Sequence, residues 1–139
     1  MKILLAVDGS PYTKKMLAYL VTHDMFSQGH DYTVLTVQPK MTMRVQAAVG
    51  REALAAYYAE EVEKILAPVS KFLLRHGIDA KSSWKTGPVG STIARFAEDG
   101  KFDLLIMGSH GHGTVVNLVM GSVATKVMAE CKVPVLLMR

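Results

Sequence analysis

Two short stretches carry the residue types that ligand chemistry needs. The first, Asp103-Leu-Leu-Ile-Met-Gly-Ser-His-Gly-His-Gly, runs from an apolar segment into Gly108, Gly111 and Gly113, and Gly121-Ser122 then opens a helical pattern. Glycine lets the backbone turn tightly and brings N–H groups up to a ligand with no Cβ between. The first amides of a helix have no intrahelical acceptor and sit at the positive end of its dipole. Loop amides beside a helix start make an anion site, and phosphate is the anion they suit. The second stretch, Asp8-Gly9-Ser10-Pro11, sets a carboxylate, a glycine and a hydroxyl directly after another apolar run.

Several sharper motifs are missing. Gly111-His-Gly113 lacks the third glycine of the dinucleotide fingerprint, and no Gly-Lys-Ser or Gly-Lys-Thr marks a Walker loop. His110 and His112, with Asp8 or Cys131, carry metal-binding atoms at no recognisable ligand spacing. Ser10 or Ser122 with His110 and Asp8 would supply a hydrolase triad, but Gly-x-Ser-x-Gly is absent and Ser122 suits a helix cap. Phosphoryl transfer needs a positive clamp and a base that positions water, and residues 108–123 contain no lysine or arginine. Binding with at most slow hydrolysis is therefore expected, and no catalytic or metal-ligating residue is assigned.

The elements that must position these stretches follow from periodicity. Residues 3–7 are a continuous apolar run, a buried strand; Ser10 is placed as the N-cap of the next helix and Pro11 at its first position. Met16, Leu17, Leu20 and Val21 lie at helical spacing, with Gly29 closing the helix. Residues 32–37 read as the second strand, and residues 39–50 as a loop holding Met41 and Met43. A long helix over residues 51–76 puts Leu54, Tyr58, Val62, Ile65, Val69, Phe72 and Leu73 on one face, with a kink or break at Pro68. A third strand (78–86), a helix with Ile93, Phe96 and Ala97 inward, the strand before Gly108, a helix through Val123, Val127 and Met128, and a last strand (133–138) complete the chain.

Five strands alternating with four helices predict an α/β fold, an open parallel sheet with helices on both faces, taken here with the strand order 3-2-1-4-5. Ligands in such sheets bind at the carboxyl ends where the strand order reverses, here between strands 1 and 4. Asp8-Gly9-Ser10 and Gly108 to Gly113 are the two loops delivered there.

Composition bounds the rest. The chain has 139 residues, half of them apolar and 20% charged, with a net charge of +4, which predicts one domain over residues 1–139. Basic residues are dispersed and no basic run interleaves with aromatics, so nucleic acid is not an expected partner. One cysteine, Cys131, allows no internal disulfide, which suits the reducing cytoplasm. The apolar run near the N-terminus is too short for a signal or a membrane span.

On these residues the chain resembles the universal stress proteins. Ile-Leu-Leu-Ala-Val-Asp-Gly-Ser at the start, Asp103-Leu-Leu-Ile-Met-Gly-Ser-His-Gly, and the closing Val-Pro-Val-Leu-Leu-Met carry the likeness along the whole length. The family's ATP-binding branch has Gly, two residues, Gly, nine residues, then Gly-Ser or Gly-Thr; Gly108, Gly111 and Gly121-Ser122 reproduce it. The resemblance implies a Rossmann-like fold of the adenine nucleotide alpha hydrolase-like kind. It also implies that Asp8 and the main chain of Val37 meet the adenosine portion, and that Ala6 and Met107 line the base or ribose pocket. Gly108, His110, Gly111, Gly121, Ser122 and Val123 would cradle the phosphates of ATP, or of AMP or ADP. Any Mg²⁺ or Mn²⁺ would arrive on those phosphates, held by oxygen. The resemblance further implies a homodimer through the last strand, from Val133 to Met138, with Val115, Val116, Leu118 and Val119 as added contacts. His112-Gly113 departs from the family's run and predicts a looser loop. A stress-response sensor or switch, ordering residues 39–50 around its nucleotide, is the function implied. The alternative is a homodimeric interaction module of the same fold that binds no nucleotide. A pyrophosphatase of this fold would need Ser-Gly-Gly-x-Asp-Ser after the first strand, and the chain lacks it.

Overall fold

The computed structural model describes residues 1–27, 29–113 and 117–139. In chain order the elements are β1 (Lys2–Ala6), α1 (Pro11–Thr22), α2 (Asp24–Ser27), β2 (Asp31–Gln38), α3 (Met43–Val49) and α4 (Arg51–Arg75). There follow β3 (Lys81–Thr86), α5 (Val89–Asp99), β4 (Leu104–Gly108), α6 (Ser122–Glu130) and β5 (Val135–Met138). The five strands form one sheet in the order β3-β2-β1-β4-β5, every neighbouring pair parallel. This is the expected Rossmann-like sheet and strand order.

Alternation along the central strands divides the core into two layers. Ile3, Leu5 and Val7 face α1 and α4 with Val34 and Ile106, while Leu4 and Ala6 face α5 and α6 with Leu35, Val37, Leu105 and Met107. Both faces of β1, β2 and β4 are thus covered, which is why they read as unbroken apolar runs. Register sets Ala6 opposite Leu35 and Met107, so β1 and β4 end within a residue of each other while β2 runs on to Gln38. Their carboxyl ends present one rim.

Several boundaries differ from the sequence reading. Residues 39–50 are not a bare loop: Thr42 Oγ1 accepts the Val45 amide (3.3 Å) and caps α3, and Gly50, at φ 87°, separates α3 from α4. The first helix ends at Thr22, and α2 intervenes before Gly29. Helix α4 continues through Pro68 without a break. Its end is a Schellman arrangement in which the Gly77 amide donates to Leu74 and the Ile78 amide to Leu73. Ile78 is therefore a buried helix stop, and β3 starts only at Lys81. The last strand begins at Val135, because Pro134 offers only its carbonyl, which accepts the Leu105 amide (2.9 Å).

Gly90 decides how α5 meets α6. A Cβ there would lie 2.7 Å from Lys126 Cβ and 3.2 Å from the Val123 carbonyl oxygen. Glycine alone permits this crossing, and the crossing fixes where the first turn of α6 points.

Candidate functional site

Between the ends of β1 and β4 lies a cleft of about 450 Å³, a volume common among small-molecule sites. The chain just past β1 brings Val7, Asp8 and Ser10, β2 brings Thr36, Val37 and Gln38, and β4 brings Met107 and Gly108. Helix α5 adds Val89 and Ile93, and α6 adds Ser122, Val123 and Ala124. All ten residues singled out in the sequence (Ala6, Asp8, Val37, Met107, Gly108, His110, Gly111, Gly121, Ser122 and Val123) line this one cleft.

The cleft has two chemical characters. One wall continues the α5/α6 core layer: Ala6, Val37 and Met107 are buried, with Ile93 and Ala124 behind them. A flat apolar ring fits such a wall. At the other end the first turn of α6 presents its Ser122, Val123 and Ala124 amides, which have no intrahelical acceptor, at the positive end of the helix dipole.

The motif glycines act by close approach. Gly108, Gly111 and Gly121 do not have positive φ. A Cβ on Gly108 would lie 2.6 Å from Tyr12 Cβ, one on Gly111 2.6 Å from Asp8 Oδ2, and one on Gly121 3.1 Å from His110 Cα. Among the described residues of this loop only Gly113, at φ 72°, holds a left-handed turn. The Gly121 amide corrects an expectation: it donates to the Ser109 carbonyl (2.7 Å) and is not available to a phosphate. Gly121 is also the N-cap of α6, so Ser122 is its first residue and not its cap.

Both histidines are tied down. His110 Nε2 donates to the Leu118 carbonyl (2.8 Å), which leaves Nδ1 to accept from the Ser109 hydroxyl (2.8 Å). His112 Nε2 donates to the Asp8 carbonyl (2.7 Å), joining the loop after β4 to the loop after β1. His112 thus anchors the loop it was expected to loosen. Asp8 Oδ1 accepts the Ser10 amide (2.9 Å) and the Thr13 hydroxyl (3.1 Å), while Oδ2 faces Gly111.

These contacts limit the chemistry. Neither Ser10 nor Ser122 is hydrogen-bonded to a histidine among the described residues, so no serine nucleophile is paired with a base. Cys131 stands at the far end of α6, roughly 13 Å of helix from His110's neighbourhood, and burial pushes its thiol pKa up. Among the described residues no three metal-binding side chains gather. The charged side chains lining the cleft are the carboxylates of Asp8 and Glu61, with no lysine or arginine among the described lining residues. Any anion held here is held by amides, hydroxyls and helix dipoles.

Sequence reading missed part of the lining. Val89 sits at the start of α5 and Ile93 one turn on, so their inward spacing was visible but not their reach to this rim. Tyr12, Thr13 and Glu61 reach the cleft from helix positions that spacing alone assigns to no ligand. Val115 and Val116 lie outside the described residues; Leu118 and Val119 are exposed.

The whole chain, residues 1–139, matches the family model described as the universal stress protein family. It is similar to universal stress protein Slr1230 of Synechocystis, 28% identical over 138 residues, which are 99% of this chain and 42% of that protein. It is also similar to universal stress protein YxiE of Bacillus subtilis, 25% identical over 146 residues, covering 99% and 98%. The chain spans less than half of the Synechocystis protein and nearly all of the Bacillus one. Among solved structures, MJ0577 of Methanocaldococcus jannaschii superposes with a TM-score of 0.84 at 26% identity, covering 99% and 94% of the two chains. A universal stress protein family protein from Arabidopsis thaliana with AMP bound gives 0.72 at 16%, covering 99% and 90%. A universal stress protein in complex with cAMP gives 0.71 at 18%, covering 100% and 97%. The last two show likeness of fold alone.

Proposed function

We propose that this chain, which belongs to the universal stress protein family, binds an adenine nucleotide in the cleft between β1 and β4. One observation carries the reading: an apolar wall built from Ala6, Val37, Met107 and Ile93 lies beside the first turn of α6, whose amides have no intrahelical acceptor and no side-chain cap among the described residues. That pairing suits a ligand with a flat base at one end and a phosphate at the other. Relatives of the same fold have been solved with AMP and with cAMP, which supports the base assignment. Asp8 and the Val37 main chain meet the adenosine portion, and Gly108, His110, Gly111, Ser122 and Val123 meet the phosphate. ATP is the ligand that the glycine spacing favours; any divalent ion comes with it.

The protein acts as a nucleotide-dependent switch in a stress response. Among the described lining residues no lysine or arginine supplies the cationic clamp of a phosphotransferase, so turnover is slow or nil. The nucleotide state passes to a partner through surfaces beside the cleft, such as α3, none of whose residues is buried. Two copies pair through β5, an edge strand of apolar residues that pairing would cover. The cytoplasm is its compartment.

Calorimetric titration with ATP-Mg²⁺, AMP and GTP tests the reading. Saturable heat with the adenylates and much weaker heat with GTP is expected. A chain that gives no heat with any adenylate, while still associating with itself, is the interaction module instead.

A further inference from the structure

We infer that Ser10 and the N-terminus of α1 form a second phosphate contact in the cleft, opposite the start of α6; this rests on the nucleotide reading above. Ser10 is the N-cap of α1, where serine ordinarily turns its hydroxyl onto an amide two or three residues ahead. Here the side chain makes no capping hydrogen bond. The Thr13 amide donates to the Ser10 carbonyl instead (3.0 Å). The Asp8 carboxylate accepts both the Ser10 amide and the Thr13 hydroxyl (2.9 and 3.1 Å). Asp8 thus holds the approach to α1 in place of a Ser10 side-chain cap.

Ser10 Oγ is consequently a buried side-chain oxygen with no hydrogen-bond partner among the described residues, although the residue is only 1% exposed. Buried hydroxyls are almost always partnered, because an unpartnered one forfeits its hydration for nothing. This one belongs to a residue that lines the cleft, together with Tyr12 and Thr13 of the same helix start. Helix α1 has twelve residues, and its Tyr12 amide is a first-turn donor without an intrahelical acceptor. Each helix start carries roughly half a positive charge. Two of them face one cleft whose described lining holds no lysine or arginine, with the Asp8 carboxylate beside the α1 start. A tetrahedral phosphate, with oxygens on several sides, is the group that accepts from both starts and from Ser10 Oγ–H at once. Adenosine alone has nothing to offer there.

Titration of the wild-type chain and of Ser10→Ala with AMP and with adenosine separates the two parts of the ligand. Ser10→Ala is expected to weaken AMP about ten-fold, the scale of one hydrogen bond to a charged acceptor. Adenosine affinity should stay unchanged, and the thermal midpoint should stay level or rise, because no hydrogen bond within the protein is lost. Ser10→Gly, also tolerated at an N-cap, repeats the test should the alanine variant fail to fold. Undiminished AMP affinity, or an equal loss for AMP and adenosine, overturns the inference and leaves the nucleotide reading standing. A wild-type chain that takes up neither ligand overturns the nucleotide reading, and the Ser10 contact with it.

Discussion

A Cβ added at Gly111 would lie 2.6 Å from Asp8 Oδ2, closer than such atoms ever approach. Asp8 is held from the other side by the Ser10 amide and the Thr13 hydroxyl, so it has to give up one of those bonds to make room. Gly111→Ala should therefore weaken adenylate binding by about ten-fold or more, the loss of roughly one charged hydrogen bond. Unfolding should shift little, because the displaced atom is the tip of a side chain and the Gly111 backbone is compatible with alanine. Wild-type affinity in this variant, by calorimetry, would separate Asp8 from the ligand. A second residue gives a pH signature. Tyr32 donates its hydroxyl to the Phe26 carbonyl (2.6 Å), and burial pushes its pKa up from 10.0 to about 12. Unfolded, the phenol ionises near 10; folded, it stays protonated until about 12. Its contribution to stability is thus complete below pH 10 and declines as the pH climbs from there towards 12. Tyr32→Phe should flatten that alkaline decline in urea unfolding; parallel curves for the two proteins would contradict it. The candidate residues were legible because glycine, aspartate and serine at a strand end announce their backbone role. Their partners were not: nothing in the letters says that Gly121's amide faces Ser109, or that His112 reaches back to Asp8.

Among the elements, the strands read most directly, because β1, β2 and β4 are covered on both faces and their apolar runs admit one interpretation. Strand β3 was placed too early because Ile78 is apolar for a different reason, stopping α4 against Leu73. Helix α3 was missed because its residues, Met43 to Val49, bury nothing and so leave no periodic stripe. Its only sequence signal is the cap at Thr42 and the stop at Gly50. Helix α4 poses the opposite case. Proline at position 68 lacks the N–H that would reach the Lys64 carbonyl, yet the helix passes through it, exposed to solvent. The packing of Val62, Leu66, Val69 and Leu73 into the core outweighs the lost bond. Pro68→Ala restores the donor without opening a cavity and should raise stability by about 1–2 kcal/mol, part of the intrinsic gain being offset by a freer unfolded chain. A lower urea midpoint for the variant would show that Pro68 serves a bend the packing needs.

At the scale of the whole molecule, the strand order is what makes a site. Because β2 and β4 flank β1 on opposite sides, the loops leaving β1 and β4 part company above the sheet and leave a cleft between them. The Gly90 crossing then aims α6 into that cleft, and the Asp8–Thr13 arrangement aims α1. The parallel sheet and a cleft at its carboxyl edge followed from the alternation of elements, which by itself leaves the strand order open; the division of the cleft into an apolar wall and an amide end required side chains from α5 that no motif marks. The account stands or falls on main-chain donors meeting the phosphate. Amide shifts in a proton–nitrogen correlation spectrum, followed while AMP is added, read those donors one by one. Large, saturable changes at Gly111, Ser122 and Val123, with Val37 moving and the amides of β3 still, are the predicted result. Changes scattered over the surface, or none at the start of α6, would contradict it.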